Sequence, residues 1–152
     1  MIRSLFIGTV GGGVPKITGG GSHAARLKRL TSPQGIAGIG KALFVAGEQI
    51  QVAAQVSITA GAVSGKGHVP SAPGTPPNND TGVLANNIET IQAGPLLVQV
   101  SSNAPYAAAQ EFGNSKLPER PYMRPAAAKE RKAATQLVRD AINHIAKGGT
   151  VR

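Results

Sequence analysis

Thr31-Ser32-Pro33 followed by QGIAGIGKALFVAGEQIQVAAQVSI over residues 34–58 is the stretch on which the fold turns. The two hydroxyls are placed to cap a helix, and the proline stands at a first helical position, where its missing N–H leaves no bond unmade. Ile36, Ile39, Leu43, Ala46, Ile50 and Ala53 then recur at helical spacing, and Val45, Val52 and Val56 widen the stripe. Lys41, Glu48, Gln49 and Gln51 fall elsewhere. The spacing predicts an amphipathic helix of about 25 residues, roughly 38 Å long at 1.5 Å per residue. Gly35, Gly38, Gly40 and Gly47 each weaken it by up to about 1 kcal/mol in isolation, so packing must hold it. Small residues on one side imply that another backbone comes close, with a neighbouring subunit as one source.

Working outward, a second helix is predicted from Pro121 or Pro125 to about Ala146, with a stripe of Ala134, Leu137, Val138, Ala141, Ile142 and Ile145 and a stop at Gly148-Gly149. Between the two helices, Val83 to Ala93 can form a turn and then a strand, and Gly94-Pro95 breaks it. Leu96, Val98 and Val100 then alternate with Leu97, Gln99 and Ser101, which is strand periodicity and completes an antiparallel hairpin. Pro105 to Phe112 reads as a short helix, with Asn103 to cap it and Gly113 to end it.

The expected class is α+β: two long amphipathic helices packed on a small antiparallel sheet, one domain over residues 23–147. Residues 1–22 are expected to be a strand and a flexible arm carrying Gly11-Gly12-Gly13 and Gly19-Gly20-Gly21, and 24–30 a short basic helical turn. The stretch 60–82, with Pro70, Pro73, Pro76 and Pro77, is expected to be a long Pro/Gly-rich loop, and 148–152 a frayed tail.

A chain of 152 residues fits one domain. It is 41% hydrophobic but only 3% aromatic, so its core must be built from aliphatic side chains. Gly (20) and Pro (11) make up about a fifth of the chain, which means abundant irregular structure. With no cysteine, disulfides, thiol catalysis and cysteine-based zinc sites are excluded. No apolar run approaches the ~20 residues of a membrane span, and the apolar stretch at Met1–Gly8 is too brief for a signal peptide, so synthesis inside a cell is expected. The 16 Lys and Arg against 7 Asp and Glu leave +9, a balance that favours contact with polyanions. The charge is uneven: residues 1–76 hold seven basic residues and one acid, residues 77–152 nine and six.

Catalytic motifs are wanting. Gly35-Ile36-Ala37-Gly38-Ile39-Gly40-Lys41-Ala42 nearly satisfies a phosphate loop, but Ala42 lacks the hydroxyl that would hold magnesium and no strand precedes it, so glycine-rich helix packing accounts for it better. His23, His68 and His144 show no metal-ligand spacing. Asp80, Glu89, Glu111, Glu119, Glu130 and Asp140 include no pair that can be placed as general acid and base. The chain is expected not to be an enzyme and to need no cofactor or metal.

Both tyrosines and one of three phenylalanines gather in Ala104 to Gly113 and Arg120 to Ala126. Tyr106, Phe112, Tyr122 and Met123 can fill the junction between sheet and last helix, with Pro121 and Pro125 fixing the angle of entry. In order, Thr81-Gly82-Val83-Leu84, a strand hairpin, Pro105-Tyr106-Ala107 through Glu111-Phe112-Gly113, and Arg120-Pro121-Tyr122-Met123-Arg124-Pro125-Ala126 before an amphipathic helix resemble a phage family. It is the neck or tail-completion family of tailed bacteriophages, the gene-product-ten type of lambdoid siphophages, related in fold to the tail terminators. The resemblance covers residues 75–147 and, more loosely, 24–58; residues 1–22 lie outside it.

The resemblance implies a non-enzymatic virion protein, made in the host cytoplasm, that assembles into a ring, commonly six-fold. The ring would sit between the capsid connector and the tail tube, seal the joint and leave a channel for DNA. Its implied partners are copies of itself, head-completion or connector proteins, the tail tube or tail terminator, and passing duplex DNA contacted without sequence specificity; no membrane is involved. Arg26, Lys28, Arg29 and Lys41 are then candidates for the DNA channel. The loop 60–80 and the segment 111–124, with Glu111, Phe112, Arg120, Tyr122 and Arg124, are candidates for subunit or partner interfaces. A tail terminator capping the tail tube, or a small basic nucleic-acid-binding protein, are the alternatives.

Overall fold

The computed structural model describes residues 19–61 and 65–151, and the strand and most of the arm expected over residues 1–18 lie outside them. The fold is α+β. In chain order the elements are α1 (Gly20–Thr31), α2 (Pro33–Thr59), a single 3₁₀ turn (Gly65–Gly67), α3 (Val83–Asn86), β1 (Ile88–Gly94), β2 (Leu97–Ser102), α4 (Ala107–Phe112) and α5 (Met123–Ala146). Among the described residues no helix is long and apolar enough to cross a membrane.

The start of α2 is built as its residues dictate. Ser32 Oγ accepts from the Gly35 N–H at 3.0 Å and donates to the Arg29 carbonyl at 2.7 Å, with Pro33 as first helical residue. One side chain therefore ends α1 and starts α2. The basic turn expected over 24–30 is a helix of 12 residues that begins at Gly20, inside the expected arm. Only Gly19, at φ +97°, keeps a conformation that suits glycine, and Ser22 Oγ donates back to its carbonyl at 2.8 Å.

α2 is the hub. α5 runs antiparallel along it: Gly38 near its start faces Ile145, while Val52 and Val56 lie beside Lys129 and Ala133. The hairpin packs on another side of α2. A Cβ at Gly47 would stand 2.7 Å from Thr90 Cγ2 and 2.8 Å from Val98 Cγ1, and one at Gly40 only 2.5 Å from the Pro95 carbonyl oxygen. The groups that approach the small residues of α2 thus belong to this chain: the hairpin at Gly40 and Gly47, and the last carbonyls of α1 at Gly35.

β1 and β2 pair antiparallel, from Ile88 opposite Ser102 to Gln92 opposite Val98, with an irregularity between Gln92 and Gly94. The sheet has two strands, so among the described residues each strand has one edge unpaired. The core lies at the other end of α2, where its last turns meet α3, β1, α4 and the first turn of α5. Ala54, Ile58, Leu84, Ile88, Ala104 and Tyr122 form its centre. As the 3% aromatic content requires, it is aliphatic and alanine-rich, with Tyr122 its one large ring at 2% exposure.

The described residues of the stretch 60–82 lack regular structure apart from the 3₁₀ turn, but they are pinned. The Asn79 N–H donates to the Ile58 carbonyl at 3.1 Å, Gly65 N–H to Asp80 Oδ1 at 2.9 Å, and Gly74 N–H to the Glu119 carbonyl at 2.8 Å. The tail is not frayed over its described residues. Gly148, at φ +98°, donates to the Ile145 carbonyl at 2.9 Å, and the chain folds back so that Val151 lies against Gly38.

Candidate functional site

The segment between α4 and α5 forms an internal clamp. Gly113, at φ +69°, ends α4 with its N–H on the Ala109 carbonyl, and the chain reverses. Glu111 is thereby turned toward the start of α5, where backbone N–H groups lack helical partners. Its Oε2 accepts from the N–H of Tyr122 and of Met123, each at 2.9 Å, and its Oε1 from the N–H of Arg124 at 2.9 Å and from Arg124 Nε at 3.0 Å. A carboxylate from another helix thus caps α5 in place of a local Ser or Asp, and its charge suits the positive end of the helix. Burial alone would raise the Glu111 carboxyl; the three backbone donors and the Arg124 guanidinium outweigh it and hold it below its ordinary value.

Arg124 closes the clamp. It donates to the Glu111 carbonyl and to Glu119 Oε2, both at 2.8 Å, and its guanidinium lies 5.3 Å from the centre of the Phe112 ring. The Arg120 N–H donates to the Gln110 carbonyl at 2.7 Å, and its Nε donates to the Ser71 carbonyl at 3.1 Å, tying the long loop to α4.

These bonds correct the interface candidates. Glu111, at 5% exposure, and Tyr122 are buried within the chain and present no surface. Arg120 and Arg124 spend donors on their own chain. Phe112, at 67% exposure, and Arg124 stay open. Tyr122 and Met123 fill the junction as the packing reading expects, whereas Tyr106 and Phe112 point outward. Asn103 does not cap α4; its side-chain amide donates to the Glu89 carboxylate, and Tyr106 takes the cap position without a side-chain bond. The clamp was missed in the sequence because its acceptor and its donors are 11 to 13 residues apart, with no periodicity to announce them.

The opposite end of the helix pair is basic. α1 carries Arg26, Lys28 and Arg29 and no acid. An Arg29 terminal nitrogen donates to the Ala146 carbonyl at 3.0 Å, at the negative end of α5. On one side of Arg29 a notch is lined by Ser22, Ala25, Arg26, Asn143, Ala146 and Lys147; on the other, a notch includes Ser32, Gln34, Lys41, Gly149 and Thr150. Among the described residues no carboxylate lines either notch, while Asp140 lines a neighbouring cleft with Lys41. Three of the four channel candidates, Arg26, Arg29 and Lys41, are thus brought together and Lys28 is not. Lys147 joins them unforeseen, its only sequence signal being a basic residue at a helix end.

A third feature is apolar. Val45, Val52 and Val56, expected to widen the buried stripe, are exposed, Val52 by 55%, beside Ala53, Lys129, Glu130 and Ala133. Leu96 and Leu97 at the hairpin turn and Ile91 on β1 are exposed as well. Among the described residues no three His, Cys, Asp or Glu side chains gather to hold a metal ion. No family model, curated protein or solved structure matches the chain.

Proposed function

We propose that this chain is a structural virion protein that forms a homo-oligomeric ring at the head–tail junction of a tailed phage, sealing the joint between connector and tail around the DNA channel. The observation that carries the reading is the bare valine line of α2. The hairpin covers the Gly40 and Gly47 side of this helix and α5 packs along another, and at the margin of α5, beside Lys129 and Ala133, Val45, Val52 and Val56 stay exposed. Fully burying an exposed valine contributes about 1.5 kcal/mol or more, and each of these, about half exposed, has roughly half of that still to gain, so a line of three is a reason to associate.

The arrangement suits a ring. A ring needs two different patches that meet head to tail, because a single self-complementary patch ends in a dimer. Val52 lies five residues from Gly47, about 140° round the helix at 3.6 residues per turn, so the valines and the hairpin are on different sides of α2. The exposed Ile91, Leu96 and Leu97 of the hairpin supply the second patch, and the unpaired sheet edges allow strand addition between neighbours. The role is geometric and breaks no bond. Six-fold symmetry and the head-completion, connector and tail-tube partners come from the family resemblance, and a tail terminator would use the same ring.

Particles assembled without the chain are expected to accumulate as DNA-filled heads and detached tails, counted by electron microscopy. Normal infectious particles that lack it would overturn the reading.

A further inference from the structure

We infer that the apolar cleft between the open edge of β2 and α5 seats this chain's own N-terminal segment, residues 2–10, as a third strand. Leu43 and Ala46 of α2 and Ala134, Val138 and Ile142 of α5 line the cleft. It is a surface apart from the valine line, because Ala133, beside the valines, lies about 140° round α5 from Val138. β2 forms its other margin. Gln51, which accepts from Thr90 Oγ1 of β1 at 2.8 Å, stands about 40° round α2 from Gly47 on one side. Leu43 and Ala46 stand about 40° and 100° round on the other, so β2 is the strand on the side of the cleft. The edge that β2 turns to it carries unpaired backbone. The Asn103 N–H donates to the Asn87 carbonyl at 3.0 Å, and bonded pairs alternate along an antiparallel ladder. Glu89–Ser101 and Ile91–Gln99 are therefore the bonded pairs, and the backbone groups of Val98 and Val100 turn outward.

The occupant is the chain that precedes Gly19. Ser22, in the first turn of α1, shares a notch with Asn143, and Asn143 also lines the cleft. The described chain thus begins at the mouth of the cleft. Residues 11–18 span about 28 Å at most, whereas the cleft follows α5 for only about 14 Å from Ala134 to Asn143. Residues 2–10 hold Ile2, Leu5, Phe6, Ile7 and Val10, with Arg3 the one charge, so they bring the apolar, β-branched and aromatic side chains that a half-buried strand needs. The direction fits as well. Gly38 faces Ile145 and Gly40 faces Pro95, so α5 ends and the hairpin turns at the same end of α2. A tether from that end holds Val10 near the hairpin turn and sets the segment antiparallel to β2. So tethered, the segment competes for the cleft at an effective concentration of the order of mM. The edge of β1 stays open to a neighbour.

The chain has no cysteine, so an introduced pair reports alone. Strand side chains alternate, so one of Leu5 and Phe6 must face the cleft. Leu5→Cys or Phe6→Cys is combined in turn with Ala134→Cys, Val138→Cys or Ile142→Cys in the full chain, under mild oxidation. At least one pair should form a disulfide within a single chain, read by non-reducing electrophoresis and peptide mapping. The same cysteines combined with Val56→Cys, on the other flank of α5, should form none. Hydrogen exchange needs no cysteine. The Val98 and Val100 amides should exchange at least about tenfold more slowly in wild type than in Leu5→Asp, Phe6→Asp, while those of Gln99 and Ser101 change little.

Exchange at Val98 and Val100 that is equal in the two proteins would overturn the proposal, as would cross-linking no better than to Val56→Cys. A disulfide that joins two chains, or protection that grows with protein concentration, would overturn it too and give the edge to a second copy. The inference does not rest on the ring reading. A ring with an unprotected β2 edge overturns the third strand alone, and a monomer with a protected edge overturns the ring alone.

Discussion

At one end of the α2–α5 pair a carboxylate is buried and all its hydrogen bonds are internal; at the other, four exposed cations line two notches in which no carboxylate of the described residues takes part. The same helices close both ends, yet the charges do different work. Glu111 and Arg124 fix the geometry of their own chain, turning α4 into α5. Among the described residues Arg26, Lys41 and Lys147 enter no ion pair. An ion in the clamp is an element of the fold.

The sharpest way to break this contrast is at the clamp. Tyr122→Ala should destabilise the fold by about 3–5 kcal/mol in urea unfolding, since it empties the centre of the core. A loss under about 1 kcal/mol would show that this end is not where the fold is held. Glu111→Gln should cost roughly 2 kcal/mol, because the amide presents one acceptor oxygen where the carboxylate presents two.

The pH dependence follows from the same bonds. A carboxyl held low in the folded state stabilises the fold fully above its unfolded value of about 4.5, and that contribution disappears as pH falls through the lower folded value. Wild-type stability should therefore drop below about pH 4.5, and Glu111→Gln, already weaker at pH 7, should lose part of that acid slope. An identical acid slope in the variant would remove Glu111 from the account.

Between the two ends, Gly47→Val should cost about 1–3 kcal/mol by forcing Thr90 and Val98 away from α2, read as a fall in the unfolding midpoint. The smallest effect on stability is expected at the notches flanking Arg29, where Arg26→Gln, Lys41→Gln and Lys147→Gln together should stay within about 0.5 kcal/mol of wild type. A larger loss would mean that these cations, too, are spent on the fold.

How far the sequence announces this structure depends on the range of the forces involved. α2 is legible because its signals are local: Ser32 and Pro33 start it, and its apolar residues repeat. The hairpin is legible because Gly94-Pro95 interrupts two alternating runs, and α5 because its stripe ends at a glycine. The Glu111 clamp joins residues across a reversal and is invisible to periodicity, so residues that hold one another resembled a surface for partners. The side of α2 left bare was also hidden, since a helical repeat shows that a stripe is wide but not how much of it the chain's own elements cover. The basic end is half visible: α1 is plainly basic, but only the fold brings Lys41 and Lys147 to the notches beside Arg29.

The central claim is that the valine line of α2 joins copies of this chain into a closed collar, and electron microscopy of the purified full chain addresses it directly. Rings of one size are expected for wild type, with monomers of unchanged circular dichroism for Val52→Asp combined with Val56→Asp. A wild-type protein that stays monomeric at every concentration, or rings that persist with both valines replaced, would contradict it.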